Sequence, residues 1–312
     1  MRAGLRRGLL ALAAAAAAGG VVVQQTAAEQ VPPRGVHYTG QEVVPAYEGW
    51  EQNTDGSFTL VFGTMNRNWE QQLHIPVGPH NNIEPGGPDQ GQPTWFQPRR
   101  NRFLFGIRVP ADFGDKELVW TLTSPNGETK RAYGTLKPDY FIDNIVRMQN
   151  NGATVIRDTG RNVAPELSVE GPLERSAAVH QPVTLEAVAV DEDGLPRANR
   201  FRLSRAGRER ARTAAMAGMG GSSPPGMRLS WFVYRGNGAA VAFDPPQIKT
   251  WEDTRPNADS PWGRGFTPPP APEDNRWVAR ATFSEPGTYV LRCITSDGAL
   301  TTHSDVTFEV AE

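Results

Sequence analysis

The side chains best suited to chemistry in this chain are carboxylates in turns. Asp191-Glu192-Asp193-Gly194 packs acidic groups into one turn, and Ser296-Asp297-Gly298 places another in a second. Carboxylates are hard oxygen donors, and calcium takes about six to eight oxygens. Asp191, Asp193 and Asp297 are therefore candidate calcium ligands, provided the fold brings the two turns to one end of a domain. The competing reading is that Asp and Gly simply make good turns. No other cofactor is implied.

Aromatic rings in polar stretches are the second candidate group. Trp95 and Phe96 close a run rich in Pro, Gly, Asn and Gln, and Trp251 and Trp262 lie in a similar segment further on. Exposed rings of this kind can bind a ligand, for instance by stacking on sugars. They can equally be plugs that pin a loop to the body of the protein. Burial separates the two: if Trp95, Trp251 and Trp262 are buried, a sugar site loses its motive. Trp120, Trp231 and Trp277 fall on strand-like runs and are expected in the core.

Catalytic patterns are missing. There is no Gly-x-Ser-x-Gly elbow, no His-Glu-x-x-His, no paired-cysteine zinc spacing and no phosphate loop. His37, His74, His80, His180 and His303 are scattered and read as surface residues. The lone cysteine, Cys293, excludes an internal disulfide and falls in a strand-like run, which makes a nucleophilic role improbable.

The N-terminus bears on the compartment. Arg2, Arg6 and Arg7 precede an apolar run, Leu9 to Val23, and Thr26-Ala27-Ala28 follows it. A basic start, a short apolar stretch and a small-residue exit predict a secretory signal over residues 1–28, cleaved near Ala28. The run is short for a membrane span, which needs about 20 residues. The chain is expected to be exported, to the periplasm or beyond, with no transmembrane span after cleavage. Net charge is −2, so nucleic acid is not an expected partner. The arginines from Arg197 to Arg212 run into a Gly-, Ala-, Ser- and Pro-rich stretch and read as a solvated loop.

The elements that must position these residues are strands. Phe58 to Met65 follows the turn signal Asn53-Thr54-Asp55-Gly56, and Arg102 to Val109 is closed by Pro110. Glu117 to Thr123 and Lys130 to Leu136 flank Ser124-Pro125-Asn126-Gly127 as a hairpin. Ile75 to Arg100 reads as a long connection without regular structure, and Asp139 to Met148 as a short linking helix. In the second half, Val183 to Val190, Arg228 to Tyr234, Arg276 to Phe283, Glu285 to Thr295 and Asp305 to Val310 read as strands. The whole predicts an all-β chain of two immunoglobulin-like β-sandwiches: residues 40–140, a linker at 141–161, and residues 162–312.

Four ordered segments carry a family resemblance: Asn162-Val163-Ala164-Pro165, the Asp191 to Gly194 turn, Leu229-Ser230-Trp231, and Pro286-Gly287-Thr288-Tyr289 running to Ser296-Asp297-Gly298. Over 162–312 the chain resembles a PKD-type domain of the immunoglobulin-like class, common in bacterial surface and secreted proteins. The resemblance implies Trp231 between the sheets, Tyr289 at a corner with its hydroxyl bonded back to the backbone, and Cys293 buried. Two insertions, 197–227 and 244–275, depart from it. The first half, through Glu48-Gly49-Trp50, Asn66-Arg67-Asn68-Trp69 and the Pro85 to Pro93 run, is similar to uncharacterised exported bacterial proteins. The functional expectation is a non-catalytic binding or structural module of the cell envelope, partnered by a polysaccharide or another envelope protein. The alternatives are a carbohydrate-binding or carbohydrate-processing accessory protein, and an enzyme whose site lies between the domains.

Overall fold

Side-chain alternation decides most of the strands. In Val183–Val190 the odd positions from Leu185 to Ala189 are buried and their neighbours are not, as expected of a strand with one face on a core. The computed structural model describes residues 37–151, 159–194, 226–247 and 271–312. The expected signal at 1–28 and most of both insertions lie outside the described residues.

The first half holds β1 (Val43–Gln52), β2 (Phe58–Asn66), β3 (Leu73–His74), β4 (Asn81–Glu84), β5 (Trp95–Phe96), β6 (Arg99–Val109), β7 (Leu118–Thr123) and β8 (Thr129–Gly134). One sheet runs β1-β2-β6 and the facing one β4-β7-β8, with β3 and β5 as a two-stranded accessory. The expected hairpin is β7-β8, in register from Thr123 opposite Thr129 to Leu118 opposite Gly134. Trp120 is the centre of this core. Its ring stands edge-on to Phe62 and Phe105, with centroids 6.0 and 5.0 Å away. Leu60, Ile83 and Leu122 are fully buried around it.

Ile75 to Arg100 corrects the sequence reading. It contains β4, which pairs with β7 and puts Ile83 opposite Trp120, and β5, which pairs with β3. The organiser is a buried polar side chain. Asn81 donates from Nδ2 to the carbonyls of Ile75 (2.9 Å) and Pro93 (2.8 Å), while its Oδ1 accepts from Trp120 Nε1 (2.9 Å). A fully satisfied buried amide fixes backbone that hydrophobic periodicity cannot reveal.

After β8 a 3-10 turn, Pro138–Tyr140, leads to α1 (Asn144–Asn150). The helix starts where Asp143 caps it by accepting from the Val146 amide at 2.9 Å. It begins later than the expected Asp139, because the 3-10 turn and the Asp143 cap take up the start of that stretch, and it runs on to Asn150.

The second half holds β9 (Glu166–Val169), β10 (Glu174–Ala178), β11 (Val183–Val190), β12 (Arg228–Arg235), β13 (Val241–Asp244), β14 (Arg276–Phe283), β15 (Gly287–Ser296) and β16 (Thr301–Ala311). The sheets are β13-β14-β11-β9 and β10-β16-β15-β12, with β10 parallel to β16. This is the immunoglobulin arrangement with its first strand divided between the sheets, β9 lying with β11, β13 and β14 and β10 with β12, β15 and β16. Both halves are all-β sandwiches. Trp231 and Cys293 are buried as expected, and Tyr289 Oη donates to the Glu285 carbonyl at 3.0 Å. Trp277, expected in the core, is only half-buried. It lies toward one end of β14 opposite Ala187, where the inner face opens.

Candidate functional site

Two places gather polar side chains: the junction between the sandwiches and one corner of the second. The junction starts from a sequence peculiarity. Trp231 to Tyr234 are consecutive and all buried, so β12 is covered on both faces. Trp231 and Val233 enter the second core, while Phe232 and Tyr234 join the first. The Pro- and Gly-rich run is folded against this strand. Gln90 Nε2 donates to the carbonyls of Ile83, Pro85 and Gly87, at 3.0, 2.9 and 3.1 Å, and so holds the run's shape. The run then presents Asp89 to Arg235 in a two-point ion pair (2.7 and 3.1 Å) and the Gly91 carbonyl to the Tyr234 hydroxyl. Burial pushes the Tyr234 hydroxyl up to about 12, so it remains a donor.

Trp95 follows and packs in the second core, with Nε1 bonded to Gln72 Oε1 at 2.6 Å. Its ring lies over Gly238, where a Cβ would come within 2.4 Å of it. Phe96 is buried in the first core. Both rings act as plugs, and neither offers a face to solvent. Trp251 and Trp262 lie outside the described residues.

Arg292 completes the junction. It is 4% exposed, donates twice to Asp305 (2.6 and 2.7 Å), reaches across to the Leu104 carbonyl, and lies 3.6 Å from the Tyr234 ring centre. A fully bonded guanidinium is what permits such burial.

Beside it lies a cleft of about 330 Å³, lined among others by Glu51, Phe103, Asn144, Arg147, Leu300 and His303. Arg147 grips Glu51 at 2.6 and 2.8 Å and lies over the Phe103 ring. Burial against the cleft walls, then Arg292, lowers the His303 imidazole to about 4, against the pull of Asp305. It is neutral at pH 7. The enzyme alternative gains if several carboxylates and a histidine converge in such a cleft. The cleft lining carries one carboxylate, tied to Arg147, and one histidine. Cys293 is buried, and desolvation raises its thiol far above the reactive range.

The acidic corner is at the start of the second sandwich. Asp297 is 1% exposed; its Oδ1 accepts from the amides of Ala299 (2.6 Å) and Leu300 (2.7 Å), and its Oδ2 from Asn162 Nδ2 (2.9 Å). Asp193 Oδ2 accepts from the Val163 amide at 2.8 Å. Asp191 bonds to the Gly194 amide and is hydrogen-bonded to Asp193. Burial first, then Asp193 and Asp297, pushes Asp191 up to about 6. Burial likewise raises Asp297. The fold therefore brings the two acidic turns within electrostatic reach of each other. Among the described residues, no group of His, Cys, Asp and Glu side chains is placed to hold a metal by itself. The sequence reading missed Asn162 as a member of this corner, since a lone Asn before a strand carries no signal of its own.

The chain matches no protein-family model and no curated protein. Its structure is similar, loosely, to solved surface proteins. Domains 4 and 5 of the S-layer protein SbsC align with TM-score 0.23 and 8% identity over 49% of this chain and 54% of that one. The Yersinia pseudotuberculosis adhesin InvE aligns with TM-score 0.23 and 9% identity over 86% and 58%. The D0-D1 domain of intimin aligns with TM-score 0.22 and 8% identity over 86% and 100%. The chain thus spans little more than half the length of the first two. Likeness at this level carries no functional argument.

Proposed function

We propose that the chain is an exported, non-catalytic binding or structural module of the bacterial cell envelope. The observation that carries this reading is the use of the polar groups at the junction. Asp89 and Arg235 are engaged in holding one sandwich to the other, and Arg292, set by Asp305 on the neighbouring strand, reaches across to the Leu104 carbonyl. The cleft beside them pairs its carboxylate with Arg147. That chemistry suits a rigid spacer or docking body better than a turnover site. The basic and apolar start of the sequence supports export. No helix among the described residues is long and apolar enough to cross a membrane. We assign the second sandwich to the PKD-type class on its four ordered segments.

The test is fractionation of bacteria expressing the full chain, followed by mass measurement. The expected product is in the periplasmic or surface fraction, shortened by about the first 28 residues, and co-sediments with envelope material. Full-length chain confined to the cytosol overturns the reading.

A further inference from the structure

We propose that the cleft at the junction binds one neutral pyranose ring, with Phe103 as its apolar wall and Asn144, Arg147 and His303 meeting its hydroxyls. The inference goes beyond the envelope reading and rests on the cleft alone: a chain confined to the cytosol would overturn that reading and leave this one standing. Its first support is the backbone under Phe103. β6 pairs with β2 as far as Phe105 opposite Phe62 and resumes with Asn101 opposite Thr64, so Arg102, Phe103 and Leu104 face Gly63 alone. Within this bulge Phe103 has a φ of 49°, a left-handed backbone that is costly for a bulky residue and easy only for glycine. The ring gains no core packing there. It is half-buried, belongs to none of the hydrophobic cores among the described residues, and lines the cleft instead. Bulges re-aim side chains beside binding sites, and strain kept without core packing points to a function.

The second support is the chemistry of the lining. Glu51 and Arg147 carry its two formal charges and cancel each other in a two-point ion pair, and His303 is neutral at pH 7. A charged ligand would break that pair or bring charge that the lining does not balance, which is costly out of water. A wholly apolar ligand would bury polar groups without partners. Asn144, Thr301 and His303 line the cleft, and among the described residues their side chains make no hydrogen bond. The Asn144 amide and the neutral imidazole each have one side that donates and one that accepts, which suits hydroxyls, able to do both. Phe103, Val61 and Leu300 supply apolar surface between them. A pyranose combines a rim of hydroxyls with a face of C–H bonds and carries no charge. The cleft, about 330 Å³, is near the lower end for small-molecule sites, about 300 Å³, so it takes one ring and not a length of chain.

The site is tied to the junction. The same bulge presents the Leu104 carbonyl to Arg292. Arg147 of α1 lies 4.8 Å from the Phe103 ring centre while gripping Glu51 of β1. A sugar seated on Phe103 therefore meets groups from β6, from α1 and, through His303, from β16. It would hold the linking helix and both sandwiches together.

The test is magnetic resonance titration of the full chain with glucose, mannose and N-acetylglucosamine, each also as its methyl glycoside, with acetate and indole as charged and apolar controls. At least one sugar is expected to shift the side-chain amide signals of Asn144, identified by their loss in Asn144→Ala. Those of Asn126, in the turn between β7 and β8, should stay in place. A methyl glycoside that binds as well as its free sugar assigns the site to a ring within a glycan, and binding lost on methylation assigns it to a free sugar. Asn144 is exposed, so Asn144→Ala should fold. Followed at the Arg147 Nε–H signal, it should bind roughly three- to tenfold more weakly, the worth of one neutral hydrogen bond. Phe103→Gly separates a binding role from a structural one. It relieves the left-handed backbone and removes no core side chain, so Tm without sugar should hold or rise, while affinity falls by at least roughly tenfold. No shift from any of the sugars overturns the proposal, as does a tighter response to acetate or indole, or an affinity that survives in Phe103→Gly.

Discussion

At the scale of single residues, Arg292 shows how burial sets the worth of an ion pair. Its guanidinium is almost wholly buried and bonded to Asp305, to the Leu104 carbonyl and to the Tyr234 ring. Arg108 and Asp55 also touch, but both are exposed, and water already does most of what that pair does. Arg292→Ala leaves the Leu104 carbonyl unbonded and opens a void beside Tyr234. It is expected to destabilise the fold by about 3–5 kcal/mol, whereas Arg108→Ala should have no measurable effect. Urea unfolding followed by tryptophan fluorescence measures both. Equal midpoints for the two variants would show that Arg292 contributes nothing.

At the scale of elements, the informative pieces are β12 and the Pro- and Gly-rich run that folds against it. Gly238 is the receptor for the run's plug. Its backbone would accept alanine, but a Cβ there would stand 2.4 Å from Trp95 Cε2. Gly238→Ala is therefore expected to displace the Trp95 ring, at a cost of about 1–3 kcal/mol, the usual range for overfilling a packed site. The Trp95 indole N–H resonance should move, because its bond to Gln72 cannot survive the shift. An unshifted resonance would mean the ring is not seated there. These elements also divide what was legible in the sequence from what was not. Strands with one wet face, such as β11 and β14, were readable because alternation reports one-sided burial. The unbroken apolar run Trp231 to Tyr234 signalled two-sided burial, although nothing local says what covers the second face. β4 and β5 were illegible. They are short, and their stability comes from Asn81, Gln90 and Gln92, residues whose types predict loops. Asp191, Asp193 and Asp297 could be singled out as turn acids. Asn162 could not, because its place beside Asp297 is set by a contact 135 positions away along the chain.

At the scale of the whole molecule, two sandwiches joined by a linker would ordinarily be expected to melt as two units, since interfaces between domains are small and polar. This chain is built otherwise. Phe232, Tyr234 and Ile294 of the second sandwich are members of the first core, and Trp95 of the first half is a member of the second. Residues 37–312 accordingly form one compact unit. Unfolding the first sandwich alone would bare the outer faces of β12 and β15 and withdraw Trp95 from beneath Gly238. The second sandwich would then carry an exposed apolar sheet and a cavity. Neither half can open without raising the free energy of the other, which is the condition for a cooperative transition. Scanning calorimetry is expected to give one peak, with calorimetric and van't Hoff enthalpies in a ratio near 1. Substituting both Asp89 and Arg235 by Ala should weaken the clasp and broaden that peak, lowering the ratio of van't Hoff to calorimetric enthalpy. Two resolved transitions in the parent chain would show that the shared residues do not couple the sandwiches.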